Sequence, residues 1–191
     1  RLLLLTGQYP AADALLTRLD IIPFEGATDG RRLYHEAKLM QAVAQIKKGR
    51  YKKALLFIQA AGKWPENLGV GKPYPENIDE RLENWLSYHC YHLMGNEKKA
   101  QQALNSIAGF QPRTENTVSN YLSSNTLITA WALDRSGKRP EAVQLLDRWV
   151  QQHPGNKIAL WSRKVFEDPH TAVPEEIKKD EVVRILAAYL Q

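Results

Sequence analysis

Gly137-Lys138-Arg139-Pro140-Glu141-Ala142-Val143-Gln144-Leu145-Leu146 decides the fold, because the chain writes its skeleton four times. A glycine is followed, after four residues, by an alanine, and four residues further on stands an aliphatic side chain. The four sets are Gly7, Ala12 and Leu16; Gly49, Ala54 and Ile58; Gly95, Ala100 and Leu104; Gly137, Ala142 and Leu146. The glycines lie 42, 46 and 42 residues apart. Recurrence at a near-constant period of this size marks a stacked array of supersecondary units.

Each part of the skeleton has a mechanical reading. The glycine ends one helix, because the left-handed conformation after a helix costs glycine little. A second helix then begins. Its alanine is small enough to let two helices approach, and the aliphatic residue four positions on extends the same face. Ala42 and Ala130, seven residues before their glycines, are placed to face the next alanine across the hairpin; in the third unit Tyr88 stands there instead.

These residues resemble the tetratricopeptide repeat, in which a small residue, a large apolar residue, a turn glycine, an alanine and often a final proline follow in that order. Tyr91, Gly95 and Ala100 fit, as do Leu133, Gly137, Ala142 and Pro154, and Gly7-Gln8-Tyr9 and Gly49-Arg50-Tyr51 match the glycine-x-tyrosine turn. Gln45 departs from the apolar position, and the period exceeds the standard one of about 34 residues. The surplus falls between units, at roughly 20–31, 62–79 and 109–121. A second resemblance rests on Trp64-Pro65-Glu66-Asn67-Leu68-Gly69-Val70-Gly71-Lys72. It is similar to a Pro-Glu-Asn-Leu-Gly-x-Gly-Lys stretch in helical-repeat arms of large bacterial proteins, where β-rich, carbohydrate-related-looking domains precede the arm. The resemblances imply an all-α, right-handed α-α superhelix with long loops between repeats. They imply one domain over 1–191, with about four helix pairs and a C-terminal capping helix. The start at Arg1, without methionine and inside a helix end, suggests a piece of a longer chain.

Helical periodicity predicts a short helix ending near Thr6 and others near 9–20, 30–48, 51–62, 79–94, 97–108, 119–136, 139–152, 156–166 and 175–190. Within 33–46 the stripe is Leu33, Ala37, Met40, Val43, Ala44 and Ile46. Asp79 and Asn156 are expected to cap the helices that follow them, and Pro140 and Pro174 stand at helix starts. No convincing strand pattern occurs.

The composition is that of a globular helical chain: 191 residues, 43% apolar and 25% charged. The longest apolar run is Leu2–Leu5, far too short for a membrane helix. A single cysteine, Cys90, excludes an internal disulfide. The net charge is +5. Basic residues gather at Arg31-Arg32, at 47–53, at Lys98-Lys99 and at Lys178-Lys179. They alternate with acidic pairs and lack interleaved aromatics, so a soluble outer surface is favoured over nucleic-acid binding.

Few motifs carry chemistry. His89 and His92 share a helix face, but no third metal ligand is placed near them by the sequence. Gly69-Val70-Gly71-Lys72 lacks the first glycine and the Ser/Thr of a phosphate loop, and Pro73 blocks the helix that must follow. A compact loop anchored by Trp64 or Leu68 is the expected alternative. No nucleophile-and-base arrangement is visible, so catalytic residues and cofactors are not expected, although a site assembled across helices stays open.

In tetratricopeptide arrays the first helix of each pair lines a groove. Carried over residue by residue, groove positions fall on Glu36, Leu39, Val43 and Ile46 in the second unit. They fall on Leu82, Trp85, His89 and His92 in the third, and on Leu127, Trp131, Asp134 and Arg135 in the fourth. The candidate binding residues are therefore Trp85, His89, His92, Trp131, Asp134 and Arg135. Aromatic anchors beside polar groups are the composition of binding hot spots. The alternative is that the tryptophans pack against a neighbouring repeat or loop. The Lys and Asn of the chaperone-peptide clamp are absent. Two functions follow: a non-catalytic scaffold docking a protein or a domain of its own parent chain, or an accessory arm of a glycan-binding or carbohydrate-active site, with Trp64, Tyr74 and Trp85 stacking on sugar rings.

Overall fold

At each of the four repeat glycines the backbone turns left-handed, with φ of 73°, 66°, 70° and 78° at Gly7, Gly49, Gly95 and Gly137. Each glycine N–H donates to the carbonyl three residues back, at 2.9–3.1 Å, and the next N–H donates to the carbonyl five residues back, at 2.7–2.9 Å. This paired pattern satisfies the carbonyls that a helix end leaves open. A Cβ at any of the four positions would meet nothing within 4 Å, so backbone conformation alone demands glycine there. The alanine five residues later closes the first turn of the next helix, its N–H donating to the carbonyl four residues back at 3.0–3.1 Å.

The computed structural model describes residues 1–23, 29–110 and 124–191. Among these are ten α-helices and no strand. The helices are α1 (Leu2–Leu5), α2 (Tyr9–Arg18), α3 (Asp29–Lys47), α4 (Tyr51–Ala61), α5 (Arg81–Leu93), α6 (Glu97–Ala108), α7 (Asn125–Arg135), α8 (Arg139–Gln152), α9 (Lys157–Glu167) and α10 (Glu181–Leu190). Short 3-10 turns lie at Glu66–Leu68, Pro75–Asn77 and Glu175–Ile177. The expected start of a helix at 119 falls outside the described residues. The expected 175–190 helix is interrupted: it is a 3-10 turn, then α10, whose start is set by the Asp180 carboxylate accepting the Val183 N–H at 2.9 Å.

The chain divides into two compact units, Arg1–Pro75 and Glu76–Gln191. In the first, α2 and α4 both pack on α3. That is why α3 buries Tyr34, Glu36, Leu39 and Ala42 as well as Ala37, Met40, Val43 and Ile46 of the expected stripe. In the second, α5 pairs with α6 and α7 with α8. Helix α7 touches both α5 and α6, and α9 touches both α7 and α8. The seam alanines Ala12, Ala54, Ala100 and Ala142 are at most 4% exposed, and Leu16, Ile58, Leu104 and Leu146 are buried beside them. Burying each of these aliphatic side chains stabilises the fold by about 1.5–3 kcal/mol.

Two buried arginines clip hairpin entries to hairpin exits. In the first unit the Arg31 guanidinium lies 4.7 Å from the centre of the Trp64 ring, just past the end of α4. In the second, Arg81 lies 4.6 Å from the Phe110 ring, just past the end of α6. Arg81 also grips the Asp79 carboxylate with two hydrogen bonds, at 2.9 and 2.7 Å, and donates to the Thr129 hydroxyl at 3.0 Å. The Asn125 amide donates to the same carboxylate at 2.8 Å, which ties the start of α5 to the start of α7. Asp79 does accept the Arg81 N–H, at 3.1 Å, but it stands outside the cap position, which is Glu80. Asn156 caps α9 as expected, accepting from the N–H groups of Ile158 and Ala159 at 2.9 and 3.1 Å. Pro140 lies in the first turn of α8, whereas Pro174 precedes a 3-10 turn.

Candidate functional site

Helical spacing puts Trp85 and His89 of α5 one turn apart on one face, and the second unit brings Trp131 of α7 beside them. The Trp85 and Trp131 rings stack with centroids 5.2 Å apart and planes at 28°. Tyr88 lies against Trp85 at 5.3 Å. Trp85 is 4% exposed, and Leu82 and Leu127 of the same rows are fully buried. The last helix reaches this row through Tyr189. Helix α10 buries Val183, Ile185 and Leu186. It brings the Tyr189 hydroxyl to 3.1 Å from His89 Nδ1, with the two rings edge to face at 5.3 Å.

The electrostatics follow from that contact. Burial pushes the His89 imidazole below the ordinary histidine range, helped by the neighbouring His92 and by the Arg135 guanidinium. Burial pushes the Tyr189 hydroxyl up to about 12, with Arg135 acting in the opposite direction. Both groups are therefore neutral at pH 7, and they share one hydrogen bond whose direction is set by the imidazole tautomer. The Trp85 indole nitrogen is buried beside Tyr189 without a hydrogen bond of good geometry.

The other candidate residues sit at the hairpin turns. His92 Nδ1 lies 3.0 Å from the Glu97 carboxylate, and its ring stacks on Tyr88 at 5.7 Å. Asp134 lies 3.2 Å from Arg139. These two pairs occupy the same register, three residues before the turn glycine and two after it, with the charges reversed. Exposed pairs of this kind contribute little stability. Arg135 is exposed at the end of α7. The structure thus gathers Trp85, His89 and Trp131, with Tyr189 of α10 against the first two, and leaves His92 and Asp134 at the turns, with exposed Arg135 within electrostatic reach of Tyr189. Tyr189 completes the cluster. Its sequence signal is the apolar spacing of Val182, Ile185 and Tyr189 along α10, which by itself reads equally well as a capping helix.

The first unit holds a second candidate, built on the Trp64–Lys72 loop. Leu68 is 1% exposed and anchors the loop in the core of the unit. The Asn67 amide donates to the carbonyls of Leu16 and Leu19 at 3.0 and 2.6 Å, and its own carbonyl accepts the Ile21 N–H at 2.8 Å. Gly69 is left-handed with φ 66°, and a Cβ there would fall 2.7 Å from the Ile21 carbonyl oxygen. Gly30 in the first turn of α3 lets that helix meet Leu68, where a Cβ would be 2.9 Å from the Leu68 oxygen. This close packing is what the Asn-Leu-Gly of the loop does. Between the loop, the end of α2 and one face of α3 lies a hollow of about 830 Å³, with Tyr34, Lys38, Lys63, Trp64 and Lys72 in its wall. Of the aromatics weighed for sugar stacking, Trp85 offers no free face. Trp64 is half-buried with Arg31 on its ring, and Tyr74 is 75% exposed.

Among the described residues no three His, Cys, Asp or Glu side chains come together as a metal site, and no helix is long and apolar enough to cross a membrane. Cys90 is buried, and burial pushes its thiol up to about 12, far from the reactive thiolate range. Comparison with protein-family models, with curated proteins and with solved structures gives no match for this chain.

Proposed function

We propose that this chain is a non-catalytic interaction scaffold whose hairpins are of the tetratricopeptide kind, right-handed in their stacking, and that it docks a protein or a neighbouring domain. The support for the repeat type is the identical glycine turn at all four positions with a buried alanine five residues on. The docking mode we propose is an amphipathic helix laid on the Trp85–Trp131 row. The observation that carries it is α10: a helix with one strongly apolar side whose Tyr189 is hydrogen-bonded to His89 of the row and lies beside Trp85. A partner using the row presents the same chemistry, aliphatic residues at helical spacing and an aromatic hydroxyl at one end. His92, Asp134 and Arg135 flank the seat and would meet the polar side of such a helix.

The test is complementation in trans. A chain ending at residue 179 is checked for retained helix by circular dichroism, and a labelled peptide of residues 180–191 is added. Binding in the micromolar range, lost on Trp131→Ala and strongly reduced with the intact chain, supports the reading. A truncated chain that keeps its helices yet fails to bind the peptide overturns it. The alternative of an arm completing a glycan site draws on Trp64 and Tyr74 alone, since the Trp85 ring is stacked and covered.

A further inference from the structure

We infer that the hollow in the first unit is a binding site for a small anionic molecule with a ring-shaped body. Its volume, about 830 Å³, lies within the range of small-ligand sites. Its shape does not depend on a ligand: the Asn67 hydrogen bonds, the left-handed Gly69 against Ile21 and the Leu68 anchor against Gly30 hold the loop wall in place. Such preorganisation lowers the cost of binding.

The charge of the wall selects an anion. Lysines 38, 63 and 72 line the hollow, and Glu66 is the one carboxylate among the lining residues. Lys38 is answered by Asp13 at 2.7 Å, and Gln41 donates to the same carboxylate oxygen at 3.0 Å. Lys63 and Lys72, at the two ends of the loop, line the hollow and have no carboxylate within ion-pair reach among the described residues. The body of the ligand is selected by the half-buried Trp64, while Tyr34, in the core with Lys38 Nζ 5.2 Å from its ring centre, backs the wall. Arg31, not itself among the lining residues, lies 4.7 Å from the centre of the Trp64 ring and acts electrostatically on Tyr34. Tyr34 is 7% exposed and forms part of the lining. A carboxylated or a phosphorylated sugar satisfies all of these features. A bare anion leaves the aromatic wall unused, and a neutral sugar leaves the lysines unused.

The experiment uses the whole chain, with the Trp64 indole N–H resonance as the reporter. Glucose 6-phosphate, glucuronate, glucose and inorganic phosphate are titrated in turn. At least one of the two ring acids should shift that resonance saturably at millimolar concentration or below, with glucose and phosphate each about tenfold weaker or more. The K63Q/K72Q double variant, altered only at exposed side chains, should lose about tenfold or more, as expected for two lost charge-assisted contacts. Binding by glucuronate, glucose 6-phosphate or both tells which acid the site prefers. The inference is overturned if neither ring acid binds, if phosphate alone binds as tightly, or if the double variant binds unchanged.

Discussion

Trp64 and Trp85 show how one hairpin design is put to two uses. The helix pairs beside them end in the same left-handed glycine turn and close on the same buried alanine. Past that point the two units differ. In the second, Tyr189 of the last helix reaches the aromatic row, and Trp85 is buried between the Trp131 ring and Tyr189. In the first, a loop folds back over the hairpin, and Trp64 stands half-buried in the wall of a hollow. A tryptophan on a repeat helix or just beyond it is thus neither core nor binding residue by its position in the repeat. What covers it decides.

Truncating both rings separates the two environments most clearly. Trp85→Ala should cost about 3–5 kcal/mol in urea unfolding, the usual range for emptying a buried aromatic site. Trp64→Ala should cost about 1–2 kcal/mol, part of it the lost arginine contact. Equal losses would mean that the two environments are not distinct. The shared seam is probed by overfilling it: Ala100→Trp and Ala142→Trp should each destabilise by about 1–3 kcal/mol or more. Unchanged melting temperatures in both would show that these alanines do not separate two helices.

The turns sharpen the comparison on a finer scale. Gly95 and Gly69 share a left-handed backbone, but only Gly69 has a neighbour where a Cβ would go. Gly95→Ala should cost about 1–2 kcal/mol from backbone strain alone, and Gly69→Ala clearly more, because the Ile21 carbonyl must move. Similar losses would argue against the close approach that shapes the hollow. The smallest effect concerns pH. His89 is held neutral by burial, so its folded pKa lies below the unfolded value of 6.5. The unfolded chain then binds the extra proton first, and stability falls as pH drops below about 6.5, levelling off once the lowered folded value is passed. Between about pH 7.5 and pH 5.5 the unfolding midpoint should decline in the parent and decline less in H89Q. Parallel curves would show that His89 does not carry the effect.

Much of this architecture is legible in the sequence because it is local. The turn glycine, the alanine and the Asn156 cap are all settled within a few residues, and the structure places them where their spacing predicts. The hairpin clips were not legible, since nothing near Arg31 or Arg81 announces the aromatic ring some thirty residues on. Asp79 was legible only in part: its position suggests a cap, while its strongest bonds go to the Arg81 side chain and to Asn125. The sequence shows the aromatic residues of the candidate row but not whether they are open or packed, and in the structure Trp85 is packed. The contact of the row with α10 depends on Tyr189 meeting His89 across 100 residues. The hollow likewise depends on Asn67 reaching Leu16 across 51 residues. Contacts of that separation follow from how the units close and not from any local pattern.

Helix α10 reaches the row through Tyr189 and is separable from the hairpins. Native-state hydrogen exchange of the intact chain tests this directly. Opening of α10 alone predicts that amides of 183–190 exchange at a lower free energy than those of α5 and α7, with the Trp85→Ala variant speeding α10 further. Protection of α10 equal to that of α5 and α7, lost only in the global unfolding transition, would contradict it and make α10 an inseparable part of the core.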